Sequence, residues 1–333
     1  MTDLDIISNG VISESSVTNN NRDGYWRFGS INPYYSFEID SLGQKLDVDL
    51  NYIQYSSKDK NYLVERALGN EAPEAENRMY QPGTTKITVA QIDYTYPFSK
   101  HLKFQIGAKY SYADLDNDYQ SDELINGIWE RNEQSNHYLF DEVIYAGYGK
   151  LSFNKSKWSG TLGLRYEDSQ SNGKSVGVDS VLSRRIQQFF PSGSISREIT
   201  KDIKGILAYS YRLERPRYSS LNPFRYNLDA YTYEEGNPEL RAEFTHSTKF
   251  SLTYQNQPFF NVEYKLTKDP ITMVYGQNEE TGEAFRGDEN LDMKNEFNVS
   301  LYFPLDFIPK ISGYGGIIVN NQYFDTKYLD LNL

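Results

Sequence analysis

The chain has 333 residues, with 46 Asp and Glu against 34 Lys and Arg, so its formal net charge is −12. Phosphate groups are bound by cationic surfaces, and this charge therefore argues against a nucleic-acid partner. Zero Cys excludes disulfides and thiolate metal ligands, and no run approaches the roughly 18–20 apolar residues of a membrane-spanning helix.

Apolar side chains at every second position predict β-strands along the whole chain, because successive strand residues point to opposite faces. In chain order the apolar positions are Leu46, Val48, Leu50, Tyr52; Leu102, Phe104, Ile106, Ala108, Tyr110; Trp158, Gly160, Leu162, Leu164, Tyr166; Tyr209, Tyr211, Leu213; Phe260, Val262, Tyr264, Leu266; and Phe297, Val299, Leu301, Phe303. The positions between them are mostly polar. The 29 Tyr and 18 Phe supply apolar surface despite a mean hydropathy of −0.68. We count about twelve strands, each near the ten or so residues that cross a membrane at a tilt.

Short and long connections alternate between these strands. Tight turns are predicted near residues 41–44, 99–100, 154–157, 200–202, 256–258 and 305–309, and long polar connections near 1–22, 58–83, 114–141, 168–186, 214–242 and 268–290. Outer-membrane barrels have short periplasmic turns and longer extracellular loops. The pattern predicts an all-β fold, an antiparallel up-and-down transmembrane β-barrel of the cell outer membrane. The alternative is a soluble antiparallel β-protein.

Five local motifs occur in order in the second half of the chain. They are Tyr145-Ala-Gly-Tyr148 leading a strand, Gly163-Leu-Arg-Tyr-Glu167 ending its partner, Phe190-Pro-Ser192 opening the next, Arg215-Pro216-x-Tyr218-x-x-Leu221-Asn222-Pro223 and Gly236-Asn237-Pro238-x-Leu240-x-x-Glu243. Together they resemble the C-terminal barrel of TonB-dependent outer-membrane receptors of the Bacteroidota type, the outer membrane protein beta-barrel family. The resemblance is clearest over residues 140–270. Pro cannot donate to a strand ladder and Gly-Asn-Pro favours a turn, so we interpret the last two motifs as loop architecture rather than ligand contacts.

The resemblance also implies elements that these residues do not show. Such receptors carry a plug and a segment that contacts TonB, whereas nothing before Gly24 resembles either, and the first ten residues have no secretory signal pattern. Receptors of this class close with 22 strands around a plugged lumen. We therefore expect residues 1–333 to form one partial outer-membrane β-barrel domain, an incomplete barrel without its plug.

Candidate binding residues fall in the predicted long loops. Carboxylates alternate at Asp114, Asp116, Asp118 and Asp122. This spacing suggests a weak Ca²⁺ loop but departs from the EF-hand pattern, which favours a solvated acidic loop. Aromatic and basic side chains that either contact a ligand or pack the loops are Trp129, Arg131, Tyr138, Arg217, Tyr218, Phe224, Arg225 and Tyr226. Ion pairs are expected on the polar strand face, between Arg165 and Glu167 and between Arg212 and Glu214.

Catalysis and cofactors find little support in the sequence. His101, His137 and His246 lack metal-ligand spacing, and a Gly-x-Ser-x-Gly nucleophile pattern is absent. We expect no enzyme and no cofactor. The resemblance implies a receptor that takes up a scarce nutrient, a metal chelate or an oligosaccharide, with outer-membrane lipid, an extracellular small-molecule or glycan ligand, and TonB acting through the plug as partners. The alternatives are a non-transporting adhesion barrel and an outer-membrane lipid hydrolase.

Overall fold

The protein is described from a computed structural model that covers residues 2–8, 11–67, 73, 75–176, 180–229, 231–277, 282–305, 310 and 312–325, with side chains from residue 16 onwards except at 180 and 181. None of these residues lies in a helix that is long and apolar enough to cross a membrane. The described strands are β1 Thr2–Ser8, β2 Val11–Ile31, β3 Tyr34–Glu38, β4 Lys45–Ala67, β5 Ala75–Ser99, β6 Leu102–Ile125, β7 Ile128–Arg131, β8 Asn136–Lys155, β9 Trp158–Ser175, β10 Ser180–Glu198, β11 Ile203–Glu214, β12 Arg225–Asn227, β13 Thr232–Glu235, β14 Glu243–Tyr254, β15 Gln257–Lys268, β16 Ile271–Gln277, β17 Ala284–Asn290, β18 Met293–Pro304 and β19 Tyr314–Asp325.

One large antiparallel sheet contains thirteen strands side by side in the order β1-β2-β4-β5-β6-β8-β9-β10-β11-β14-β15-β18-β19. β3 continues the line of β2 along β4, after an interruption at Pro33, which has no N–H for the ladder. β7 folds back on the end of β6 through Asn126 and Gly127, whose φ angles of 52° and 80° suit a two-residue hairpin turn. The prediction of about twelve consecutive antiparallel strands is confirmed.

The two faces of this sheet differ in chemistry as the alternation predicts. The apolar positions lie on one exposed face, where Leu162 and Leu164 are 67% and 52% accessible. The polar positions lie on the opposite face and line a groove of about 890 Å³ that spans β9, β10, β11, β14, β15 and β18. A groove across six neighbouring strands makes the polar face concave. We call the concave face the inner face and the apolar face the outer face.

Short turns lie at one end of the sheet, as predicted. β5 and β6, β8 and β9, and β14 and β15 are joined by two residues each. Ser156, Gln255 and Asn256 adopt positive φ angles of 57°, 49° and 66° in two of these turns. Most of the longer connections lie at the opposite end of the strands. The connection between β18 and β19, residues 305–313, lies at the short-turn end and is longer than the predicted turn at 305–309.

Four of the predicted long connections are wrong in extent, because much of residues 1–22, 58–83, 114–141 and 168–186 is strand. β4, β5 and β6 contain 23, 25 and 24 residues and are about 80 Å long, whereas about ten residues cross a membrane. Beyond the membrane the outer face meets water, so the apolar alternation that marks a strand disappears. For the same reason the first three family motifs lie within β8, β9 and β10 rather than at strand ends.

A second, four-stranded sheet has the order β12-β13-β17-β16 and includes one parallel pair, β13 with β17. We call it the loop sheet. Its strands come from the connection between β11 and β14, residues 215–242, which we call the inner loop, and from the connection between β15 and β18. The inner loop packs against the inner face of β4, β5, β6 and β8, where it forms the main core. The buried members of this core are Leu63, Met79, Ala113, Leu115, Tyr119, Tyr138, Phe140, Leu221, Phe224 and Leu240.

The large sheet is open over the part of the chain that the structure describes. The pairings run from β1 to β19, and no pairing joins these two strands within the described ranges. This arrangement agrees with the prediction of an incomplete barrel.

Candidate functional site

Arg215 follows β11 directly and ties the start of the inner loop to the wall of the large sheet. Its Nε donates to Glu142 Oε1 on β8 at 3.0 Å, and its Nη2 donates to Glu167 Oε1 on β9 at 3.2 Å. Glu167 also accepts from Arg165 at 3.1 Å, and the Tyr218 hydroxyl donates to Glu142 at 3.4 Å. Both glutamate side chains are only 9% accessible. We call Arg215, Glu142, Glu167, Arg165 and Tyr218 the Arg215 hub.

Glu142 lies beyond the part of the sheet that has an apolar outer face, whereas Arg165 and Glu167 alternate with the outer-face residues Leu164 and Tyr166 at the margin of that part. At the level of Glu142 the outer face carries Asp114, Asp141 and Asn172, which are too polar for lipid. Burial raises the pKa of Glu142, and the Arg215 guanidinium opposes that rise. Burial, reinforced by Glu142, raises the pKa of Tyr218 to about 12. The Tyr218 hydroxyl therefore remains a donor at every physiological pH.

The middle of the inner loop reaches strands far from β11 and β14. The Phe224 ring stacks on Tyr119 of β6 at a centroid distance of 5.0 Å, and Asn61 of β4 donates to the Tyr226 hydroxyl at 2.7 Å. In the large sheet, five strands separate β4 from β11. The loop consequently spans the concave face from β11 to β4.

The returning part of the inner loop is fixed through its backbone. Arg184 of β10 donates to the carbonyl of Pro238 at 2.9 Å and also to that of Leu240, whose side chain is completely buried. Gly236 passes so close to the chain that a Cβ atom would lie 2.1 Å from the Asn222 carbonyl oxygen. The Gly-Asn-Pro turn therefore requires glycine for space.

Charged pairs connect the strands of the loop sheet. Arg225 forms an ion pair with Glu283 and lies over the Tyr233 ring at 3.7 Å. Arg286 donates twice to Glu234, at 3.0 and 2.6 Å. These contacts join β12, β13 and β17 into one unit above the lumen.

The predicted ligand candidates separate into three groups. Tyr138, Tyr218, Phe224 and Tyr226 belong to or pack on the buried core, and Arg225 is paired within the loop sheet. Trp129 and Arg131 lie on β7, and their contacts are with strands of the large sheet. There the Arg78 guanidinium is 4.6 Å from the Trp129 ring, and Arg131 bridges to Asp122 at 2.7 Å. Arg217 is exposed. The loop-packing alternative thus describes most of these side chains.

The predicted acidic loop is part of β6, so its carboxylates do not converge. Alternate residues on a strand lie about 6.6 Å apart along a line. Asp116 contacts His137 at 2.7 Å, Asp118 accepts from Gln120 at 2.6 Å, and Asp122 accepts from Arg78 at 2.8 Å. Asp114 faces Asp141 across the β6–β8 pair. No group of three or more His, Asp or Glu side chains suited to a metal ion is present among the described residues.

The groove beside the inner loop carries balanced charge. Its cationic side chains are Arg212, Lys249, Lys265 and Lys294, and its anionic ones are Glu214, Glu243, Glu263 and Glu296. Hydroxyl groups between them come from Thr161, Ser192, Ser194, Ser210, Thr245, Ser247 and Thr267. The predicted Arg165–Glu167 ion pair is confirmed, whereas no Arg212–Glu214 ion pair occurs in the described part of the chain.

Among the residues that hold the inner loop, sequence reasoning missed Glu142, Arg184 and Asn61. Glu142 could have been recognised from the sequence, because it lies two residues from Phe140 and four from Tyr138 and therefore shares their face of the strand. It places one carboxylate in a row that is otherwise apolar. Arg184 and Asn61 gave no such signal, since their partners lie 54 and 165 residues away.

An antiparallel sheet with an apolar outer face, a polar concave face, short turns at one end and long loops at the other defines a β-barrel protein of the outer membrane. In this class the long loops are extracellular, which places the inner loop and the loop sheet outside. The sequence matches the outer membrane protein beta-barrel family over residues 37–332, and the chain belongs to that family. The match extends beyond the predicted region, residues 140–270.

Solved transporters share the fold. The ferric citrate transporter FecA in its unliganded form aligns with a TM-score of 0.57 and 13% identity, covering 91% of this chain and 44% of that one. The RagAB peptide transporter gives 0.55 and 12%, covering 94% and 38%. The copper transporter OprC gives 0.52 and 10%, covering 94% and 57%. This chain thus spans between about two fifths and three fifths of those lengths. The comparison with curated proteins gives no match.

Proposed function

We propose that the chain is the barrel portion of a TonB-dependent receptor that imports a scarce nutrient across the outer membrane. The observation that carries the proposal is the polar groove of about 890 Å³ on the concave face, beside an inner loop fixed to the opposite wall. A charge-balanced, hydroxyl-rich wall suits passage of a polar solute, because it offers hydrogen bonds without binding either charge strongly.

Family membership also supports a role in transport. The similar structures are described as transporters of ferric citrate, copper and peptides, which span chemically different cargoes. A metal chelate or an oligosaccharide is the cargo class we propose for this chain. Coupling to TonB through a plug that lies outside residues 1–333 completes the proposal.

Adhesion without transport is the second candidate, and lipid hydrolysis is the third. Hydrolysis is disfavoured by the histidine contacts in the described part of the chain. His246 Nδ1 contacts the Tyr209 hydroxyl at 2.8 Å, His137 contacts Asp116, and His101 contacts the Asn154 carbonyl. None of these contacts orients a serine nucleophile.

Uptake by the source bacterium tests the proposal. We expect deletion of the gene to abolish growth on at least one limiting nutrient among iron chelates, copper and oligosaccharides, and deletion of TonB to reproduce that loss. Complementation with the intact gene is the control. Unchanged uptake of all of them, with lost attachment to a surface, would support the adhesion protein instead.

A further inference from the structure

β16 is the outermost strand of the loop sheet. The order β12-β13-β17-β16 leaves β16 paired with β17 on one side only, within the part of the chain that the structure describes. The free edge of such a strand presents backbone N–H and C=O groups to the surroundings. Because the loop sheet lies at the extracellular end, this edge lies at that end of the protein.

Two hydrogen bonds show which residues of β16 present these groups. The Leu291 N–H donates to the Pro270 carbonyl at 2.9 Å, so every second residue from Pro270 onwards bonds to β17. The Ile271 N–H points the other way and donates to Glu243 Oε1 at 2.6 Å. Met273 and Tyr275 have the parity of Ile271. Their N–H and C=O groups, and those of Gln277, therefore point away from β17.

This edge lacks the features that usually prevent strand pairing. Natural edge strands are protected by Lys, Pro or bulges, whereas β16 has no Lys or Pro and an unbroken register with β17. Its outward-pointing residues also have exposed side chains, since Met273 is 47% and Tyr275 is 72% accessible. Arg286 lies opposite Tyr275 and pairs with Glu234, so charges of both signs flank the apolar pair.

We propose that the free edge of β16 binds an extended oligopeptide from outside the cell as a fifth strand of the loop sheet. The outward N–H and C=O groups recur every second residue, about 6.6 Å apart, which is the repeat of an extended polypeptide. An oligosaccharide or a metal chelate has no such repeat. Main-chain hydrogen bonds would supply the affinity, and contact with Tyr275 and Met273 would favour an apolar or aromatic peptide side chain. Because the Ile271 N–H already donates to the Glu243 carboxylate, the peptide would pair with Met273, Tyr275 and Gln277.

Binding to the purified full chain in detergent micelles tests the inference without any uptake measurement, so its failure and the failure of the transport proposal are distinguishable. The probe is a fluorescein-labelled heptapeptide of alternating Thr and Val with a central Phe, followed by fluorescence anisotropy. The matched control is the same peptide with its three central amides N-methylated. We expect the unmodified peptide to bind at least tenfold more tightly and to slow amide exchange at Met273, Tyr275 and Gln277.

Two variants separate the backbone from the side chain. Tyr275→Pro removes an outward N–H at an edge position where Pro is tolerated, and we expect it to weaken binding at least tenfold. Tyr275→Thr keeps the N–H and should weaken binding less. Unchanged exchange of the β17 amides in Tyr275→Pro verifies that the loop sheet still folds. Equal binding of the methylated peptide, full binding to Tyr275→Pro, or no binding of the unmodified peptide at millimolar concentration would overturn the inference.

Discussion

Replacing Arg215 with Ala should release the inner loop from the wall of the large sheet. Arg215 contacts two carboxylates on neighbouring strands, Glu142 at 3.0 Å and Glu167 at 3.2 Å. Its removal leaves Glu142 with only the Tyr218 hydroxyl, whereas Glu167 keeps its contact with Arg165. The loss therefore falls mainly on the contact between the loop and β8.

The magnitude follows from burial. Breaking a buried ion pair by removing one partner costs about 3–5 kcal/mol, because the remaining charge is left without compensation. Arg215 is 23% accessible and Glu167 stays paired, so the lower end of that range applies, about 3 kcal/mol for opening of the loop. Since each 1.4 kcal/mol is tenfold, the open population should rise roughly a hundredfold. The large sheet itself should keep its stability, because its ladders do not involve Arg215.

Hydrogen exchange followed by mass spectrometry, on the purified chain in micelles, measures this opening. Peptides from residues 215–242 should lose protection in Arg215→Ala, whereas peptides from β9 and β15 should not. The matched control is Arg185→Ala, which removes an exposed ion pair with Asp168 on the outer face and should change exchange no more than a few-fold. Equal protection of the inner loop in the two variants would refute the reasoning that the Arg215 hub holds the loop.

Three further outcomes are expected. Leu240→Ala should destabilise the docked loop by about 2–5 kcal/mol, because Leu240 is completely buried; tryptic cleavage after Arg241 should accelerate, and the exposed Leu42→Ala serves as control. Burial raises the pKa of Glu235 and Glu289 above 4.5, so both carboxyl groups bind a proton more tightly in the folded loop sheet than in the unfolded chain. Their contribution to the free energy of unfolding is therefore complete below pH 4.5 and is lost as the pH rises through the raised pKa values. A fluorophore on Ser219→Cys, specific because the chain lacks Cys, should report more opening at pH 7 than at pH 4.5, and Glu235→Gln with Glu289→Gln should flatten that dependence. Calorimetry with millimolar Ca²⁺ should give no saturable heat at the aspartates of β6; saturable binding lost in Asp116→Asn would contradict the extended arrangement.

Sequence patterns predicted the membrane-crossing parts of the fold because lipid imposes a simple rule there. An outer face that must be apolar produces the alternation of Leu162 and Leu164 with polar neighbours. This alternation predicts where the strand lies, which residues share a face and in which direction their side chains point. After the aromatic residues Tyr110 and Tyr112, the outer face of β6 meets water and no longer has to be apolar. β6 continues with Asp114 and Asp116 on its outer face, and a strand wetted on that side has the composition of a loop.

The candidate site was predictable only in part, because its contacts are made between distant segments. The Pro residues and the Gly-Asn-Pro turn correctly indicated an architectural role for the inner-loop motifs. Their partners were hidden, since the loop crosses several strands before Asn61 meets Tyr226. Period-two reasoning gives the face on which Glu142 lies but not which loop approaches that face.

The inner loop divides the concave face into two unequal parts, and this division assigns different roles to them. Along β4 to β8 the wall is covered by apolar side chains of the loop, so a ligand has no access there while the loop is docked. Along β9 to β18 the wall keeps its charges and hydroxyls in the open groove. A change in the family motif should therefore act by moving the loop and widening the lumen. A change in the groove, such as Lys265→Ala, should instead alter the wall along which a solute passes, with the loop still in place.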